Sequence, residues 1–475
     1  MYFGLYQPAE VVEEKGDDYF IAAHPRPREK TPSIATMVLG ARHSLVGNWT
    51  EDYYQSCVDS FRILNRQMVF VNKPEALKYV LTLSHENYEQ KSSMVRRTLE
   101  PMIGDSLFIN GGDLWRKRRP IVADIVHKKR MPTFGPIMET IARERADTWA
   151  AKGGSEEFDV FQETAELTAM VINRAVFGPN LSARDAQQVI DGFGRFQANT
   201  TAFNIGYFFG AEHGWRTRLS RAQRESVAQV KAVVARIVDE HIAAGGGSGS
   251  MIDLLIQLNR ENPDLGLDVN AIRNETAMFF LAGHEGTATS LGWVWYLLGN
   301  APWVEREIHA EIDRIAADRP ISVDDLPDLD WCRAVVLETM RLYPPVPLLP
   351  RQAKEADRIG DVEVEKGALI MISPWLLHRS RDLWDQPNHF RPERFRNGAK
   401  TEPYTYIPFG IGPRLCPGMN FGLNEAILSL AILAQRFKVK LRPGYRVEPV
   451  CRLTLRPQGG LPVTLEPRTA QRVAA

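Results

Sequence analysis

Residues 408–419 read Pro-Phe-Gly-Ile-Gly-Pro-Arg-Leu-Cys-Pro-Gly-Met, and no regular strand or helix can pass through such a run. Glycines at 410, 412 and 418 are interleaved with prolines at 408, 413 and 417, which allows tight turns and a close approach of backbone to a flat ligand. Apolar residues at helical spacing resume after Cys416, from about Met419 to Phe437. The thiol therefore falls at a helix N-terminus, where unsatisfied N–H groups and the positive end of the helix dipole favour a thiolate. A thiolate so placed binds iron and gives it electron density, which O–O cleavage requires. Arg414, two residues earlier, is suited to pair with a carboxylate on the same ligand. The other cysteines, Cys57, Cys332 and Cys451, are scattered and form no C-x-x-C pair, so neither a disulfide framework nor a zinc site is expected, and all three read as small buried side chains.

The bulk composition excludes several functions. The 475 residues are 44% hydrophobic and 24% charged, values of an ordinary globular protein. Basic and acidic residues number 58 each, so no field of one sign recruits nucleic acid or acidic lipid. The first thirty residues carry acidic groups early and lack the uninterrupted apolar stretch of a signal peptide or membrane anchor. Later apolar runs, Thr276 to Gly283 and Ala426 to Ala434, are about half the ~20 residues that span a bilayer. A cytoplasmic protein without a membrane anchor is expected.

One domain over residues 1–475 is expected, with an extended lead-in over 1–33 and a flexible tail over 466–475. Helical periodicity covers Phe134 to Trp149, Ala222 to Ala243 and Ala271 to Asn300. The run Gly245 to Ser250 (GGGSGS) has linker composition, but its six residues between two helical patterns suit a surface loop. After Ser322 a short helix, Trp331 to Leu342, stops at Tyr343-Pro344-Pro345, and strands are expected at Val362 to Val364 and Ala368 to Ile372.

The cysteine loop resembles the haem-binding signature F-x-x-G-x-R-x-C-x-G of the cytochrome P450 family, filled here by Phe409, Gly412, Arg414, Cys416 and Gly418. Glu338 and Arg341, one helical turn apart, match the family's E-x-x-R pair. Pro387-Asn-His-Phe390-Arg-Pro392-Glu-Arg394-Phe395 matches the segment that supplies the third member of its buried triad. Trp115 and Arg119 resemble the W-x-x-x-R pair that holds a haem propionate, and Arg351 lies where another propionate partner is often found. The resemblance implies a mainly α fold with small β-sheets, haem b as cofactor and Cys416 as its iron ligand. It also puts the basic run Arg116 to Arg119 and Lys128 to Arg130 on the side where acidic electron-transfer partners dock.

Ala271 to Asn300 would run about 45 Å as a helix. It contains Ala282-Gly283-His284-Glu285-Gly286-Thr287, and two interior glycines at about 1 kcal/mol each need a reason. Ala282, Gly283 and Gly286 make a bare stripe that would let a macrocycle and dioxygen approach. The segment resembles the family's A-G-x-[D/E]-T-[T/S] motif, with Gly286 where the family has its proton-relaying threonine. Glu285 matches the acidic member of that relay and Thr287 the second hydroxyl. Thr287 is rotated about 100° from Gly286 and does not simply replace it. Three outcomes stay open: Thr287 or a water in the Gly286 space carries the proton, a substrate hydroxyl does so, or turnover is poorly coupled.

The implied function is a haem-thiolate monooxygenase that inserts one atom of O2 into a small apolar substrate. Substrate contacts are expected before Trp115, near residues 190–215 (Phe193, Phe196, Phe203, Tyr207, Phe208, Phe209) and at Val346 to Leu349. A chain with no flavin or ferredoxin domain of its own would take electrons from a ferredoxin and its reductase, and a soluble member of the family points to a bacterial source. Two alternatives remain at this stage: a peroxide-using or substrate-rearranging haem-thiolate enzyme, and a haem sensor or carrier without catalysis.

Overall fold

Apolar residues crowd every side of the segment from Val269 to Asn300, and it forms a 32-residue buried helix, about 48 Å long. Asp268 caps its N-terminus, accepting a hydrogen bond from the Ala271 N–H at 2.7 Å. The structure, a computed structural model, describes residues 8–468 apart from 34–35, 38–39, 41–43, 155, 180, 200–218, 266 and 452.

The helices that matter here are, in chain order, α1 (Ser93–Ile103), α2 (Gly112–Ile125), α3 (Met131–Lys152), α4 (Val160–Phe177), α5 (Arg221–Ala244), α6 (Met251–Glu261), the long α7 (Val269–Asn300), α8 (Asp330–Leu342) and α9 (Met419–Arg436). Helix α4 lies along α7, and α9 packs between α3 and α7. A continuous apolar core runs from Phe20 to Leu465 around them. At its centre Trp293 stacks on Tyr343, ring centroids 3.8 Å apart and planes within 6°. The GGGSGS run is a surface turn between α5 and α6, fixed by the Asp253 carboxylate, which accepts from the Ser248 N–H at 2.7 Å.

Strands β1 (Val11–Lys15) and β2 (Phe20–Pro25) form an antiparallel hairpin in the stretch expected as a lead-in. Its Phe20, Ala22 and Ala23 are buried, and Tyr343 Oη donates to the Ala23 carbonyl at 2.8 Å. A four-stranded sheet has the order β3 (Val58–Ile63), β4 (Arg66–Val71), β6 (Leu369–Ile372), β5 (Leu349–Gln352). The β4–β6 pair is parallel and the other two are antiparallel. A last hairpin, β7 (Pro449–Cys451) and β8 (Leu455–Pro457), follows α9. Glu466 and Pro467, expected in a flexible tail, instead pair with Lys438 and Phe437, and residues 469–475 lie outside the described residues. No helix among the described residues is long and apolar enough to cross a membrane.

Candidate active site

The cysteine loop turns back on itself before α9 begins. Gly410 and Gly412 have φ of +72° and +76°, and the Cys416 N–H closes the loop on the Phe409 carbonyl at 2.9 Å. A Cβ on Gly412 would sit 2.2 Å from the Leu81 carbonyl oxygen, so only glycine fits. Cys416 is solvent-accessible, yet the surface it shows opens into an interior chamber. Burial raises its pKa, while the Gly418 N–H, Arg119 and Lys91 pull it the other way and lose. The groups that favour a thiolate here are thus the Gly418 N–H at the start of α9 and the cations Arg119 and Lys91, set against the burial of the thiol.

The chamber has a volume of about 550 Å³ and mostly apolar walls from α1, α2, α7, the Pro345–Arg351 turn and the sheet. Phe409, Arg414, Cys416 and Gly418 all line it, as do Trp115, Arg119 and Arg351. Sequence reasoning missed a fourth cation there, Lys91. No described carboxylate forms an ion pair with Lys91, Arg119, Arg351 or Arg414. Burial and mutual repulsion depress them: Lys91 falls well below its ordinary value, and burial brings Arg351 to about 10. Arg414 also falls to about 10, from burial and the neighbouring Arg351. Its guanidinium lies 4.2 Å from the Trp115 ring centre and donates to the Asn110 carbonyl at 2.7 Å, while its Nε is buried without a hydrogen-bond partner. Arg119 donates to the Leu415 carbonyl, bracing the residue before the thiol.

On α7, Ala282, Gly283, Glu285, Gly286 and Thr287 all face the chamber. The bare stripe nevertheless divides in two. A Cβ on Gly283 would lie 2.4 Å from Ile172 Cδ1, so that glycine serves the packing of α4 on α7, whereas nothing lies within 4 Å of a Cβ on Gly286. Glu285 is held by an arginine that sequence reasoning missed: Arg456 of β8 donates to its two oxygens at 3.0 and 2.6 Å, and Thr454 adds a third hydrogen bond. Although burial pushes the Glu285 pKa up, Arg456, His284 and Thr454 more than offset it and hold the carboxyl below its usual range. Thr287 lies beside Glu425 of α9, a fully buried carboxyl that burial raises far above its usual value, with the Thr287 hydroxyl opposing the shift.

Glu338 and Arg341 are both fully buried, and Arg394 Nε stands 3.7 Å from Glu338. The basic run is largely neutralised in place: Arg116 faces Asp113 at 3.3 Å, Arg130 pairs with Asp124 at 2.7 Å, and Arg118 turns inward. Of the expected substrate segments, Leu99 to Phe108 and Pro345 to Leu349 contribute chamber walls. Phe193 instead stacks in the core on Phe280, and Phe203, Tyr207, Phe208 and Phe209 lie outside the described residues.

One thiol and four cations without a carboxylate ion-pair partner among the described residues thus face a single, largely apolar chamber. The cytochrome P450 family model matches residues 27–463, and the chain belongs to that family. It is 28% identical to a cytokinin hydroxylase of Arabidopsis thaliana, over 84% of this chain and 78% of that one. It is 27% identical to a cyclooctatin synthase of Streptomyces melanosporofaciens, over 83% and 85%. With relatives in both a plant and a bacterium at this level, the expected bacterial source gains no support. The crystal structure of the cytochrome P450DA haem domain shares the fold with a TM-score of 0.75 at 23% identity, covering 87% of this chain and 90% of that one.

The protein is thus a haem-thiolate monooxygenase with haem b as cofactor. The site fits that group: the orphaned Arg414 Nε and three further cations suit its two carboxylates, and the apolar walls suit its ring.

Proposed function

We propose that Cys416 is the iron ligand, that Lys91, Arg119, Arg351 and Arg414 with Trp115 hold the two propionates, and that the remaining chamber takes an apolar organic substrate. A bound haem would supply the iron for reduction of dioxygen, one atom entering the substrate and the other leaving as water, with two electrons from a redox partner and two protons. The observation that carries this is the convergence on a single apolar chamber of one thiol and four cations that lack a carboxylate ion-pair partner among the described residues. Phe409, Gly412 and Gly418 shape the loop around the thiol, while on α7 Ala282 and Gly286 would leave room for the cofactor and Gly283 lets α4 pack against the helix that bears them.

For the proton path, a water in the Gly286 space passes on a proton drawn from bulk solvent, held by hydrogen bonds to Thr287 Oγ1 and with Glu285, kept ionised by Arg456, nearby. Ferredoxin and its reductase are the proposed electron donors, docking on the Lys117 and Lys128 face beside the cysteine loop. The cytoplasm is the proposed compartment, which four free cysteines suit. The test is the carbon monoxide difference spectrum of the reduced holoenzyme, with the red-shifted thiolate band expected in the native protein and absent in Cys416→His. A band that survives the substitution removes Cys416 from its role.

A further inference from the structure

Helix α7 carries a second buried carboxyl, one turn before the chamber. Glu275 has no exposed surface, and both its oxygens accept from the same backbone group, the Leu107 N–H, at 2.9 and 3.1 Å. Its neighbour Asn274 donates to Asp105 Oδ1 at 2.8 Å. Between them these side chains pin a short loop against α7. Gly104 begins that loop at φ +54°, where a Cβ would meet the Asn274 side chain at 2.3 Å, so the backbone is pressed against the helix. Arg118 of α2 ties the same point, donating to the Asp105 carbonyl at 2.7 Å and to Glu275 Oε1 at 3.3 Å.

The pinned residues are chamber wall. Leu107 and Phe108 line the chamber, as do Met278, Phe279 and Ala282 on the next turns of α7. The Lys91 ammonium stands 4.5 Å from the Phe108 ring centre, and the Asn110 carbonyl is the one that Arg414 holds. The loop thus spans from the cofactor's cations to α7, and Glu275 fastens its far end.

We propose that Glu275 is a positioning residue that sets the Leu107–Phe108 wall of the substrate chamber, holding it closed while protonated and releasing it on ionising. The charged groups acting on it among the described residues are Arg118 and Asp105. Burial pushes its pKa up to about 7 and Asp105 adds to this, while the Leu107 N–H and Arg118 oppose it. The neutral carboxyl keeps an acceptor for Leu107 and bears no desolvation cost, whereas the ionised one gains by being hydrated, which requires the loop to lift. Closure is therefore fully favoured below the ordinary carboxyl value of 4.5 and weakens as pH rises from there to about 7, by up to about tenfold per pH unit, levelling off above.

The inference rests on the chamber being the substrate's, and the experiment separates the two. Amide hydrogen exchange at Leu107 is followed in the holoenzyme from mildly acid to neutral pH. In the native protein its protection is expected to fall as pH rises to about 7, by up to about tenfold per unit beyond the intrinsic chemical change, and to level off above. In Glu275→Gln, which cannot ionise, protection stays constant. In Asp105→Asn, which removes a like charge from a half-exposed position, the fall moves to lower pH. KM for an apolar substrate should rise over the same range in the native enzyme only, with kcat unchanged. Identical exchange profiles in the native protein and Glu275→Gln overturn the proposal. Exchange that behaves as expected with KM flat in both shows a latch on a wall the substrate does not touch.

Discussion

Arg341 grips Glu338 through two parallel hydrogen bonds of 2.7 Å, Nε to Oε2 and Nη2 to Oε1, with neither side chain exposed. The remaining donors of Arg341 reach the carbonyls of His378 at 2.7 Å, Pro387 at 2.6 Å and His389 at 3.1 Å. Glu338 Oε1 also accepts from the Arg391 N–H at 2.9 Å. The pair therefore staples α8 to the chain that leads into the cysteine loop. Glu338→Ala strands a buried guanidinium and is expected to cost about 3–5 kcal/mol. Denaturant unfolding measures the loss, and a change below about 1 kcal/mol contradicts it.

The two glycines of α7 should respond in opposite ways. Gly283→Ala drives a methyl into Ile172 and is expected to destabilise by about 1–3 kcal/mol. Gly286→Ala enters open space and is expected to stabilise by up to about 1 kcal/mol through helix propensity. Gly286→Thr adds a hydroxyl where the proposed water sits, so product formed per NAD(P)H consumed should change. Unfolding curves and coupling ratios decide both points.

Glu285 gives a pH test whose sign reverses. Its carboxyl is held below the usual range, so it contributes stability that is present above that range and lost as pH falls through the lowered value. In Arg456→Ala burial goes unopposed by the ion pair and the carboxyl rises, so the contribution turns unfavourable as pH increases. A loss of about 1–2 kcal/mol at neutral pH is expected, with partial exposure of Arg456 keeping it modest. Thermal melts of the two proteins from acid to neutral pH should diverge steadily. Parallel curves would show that the pair carries no linkage.

Cofactor removal exposes a conflict among Lys91, Arg119, Arg351 and Arg414. The haem-free protein should unfold at a lower temperature, because ligand binding stabilises the folded state and the cations repel one another without it. Arg414→Gln is then expected to act in opposite directions, weakening haem retention about tenfold or more while raising the stability of the haem-free chain by about 1 kcal/mol. Haem transfer to an acceptor protein and melts of both forms read the two effects. A variant that is less stable in both would refute this account.

The cysteine loop and the long helix were legible because glycine, proline and apolar periodicity act locally. The strand at Val362 to Val364 falls where it was expected, and the helix read over Ala271 to Asn300 begins two residues earlier. The Glu338–Arg341 pair was legible because one helical turn fixes its geometry. Lys91 and Arg456 were not, since each is a lone cation whose role depends on groups far away in the chain. Depth was equally hidden. It is why Glu275 and Glu425 drew no notice as two carboxylates among many.

The parallel pairing of β4 with β6 has a consequence during synthesis. Phe70 must find Met371, which leaves the ribosome roughly 300 residues later, on the order of 15–60 s at ordinary elongation rates. Through that interval Met68 to Val71, all buried in the finished protein, lack their partner strand, a sticky edge that chaperones must shield. Met68, Leu369 and Met371 line the same chamber, so it cannot close before the second strand emerges. Haem capture is therefore expected near or after the end of translation. Chains arrested before Leu369 should retain none, and stable haem in such a chain would refute this sequence of events.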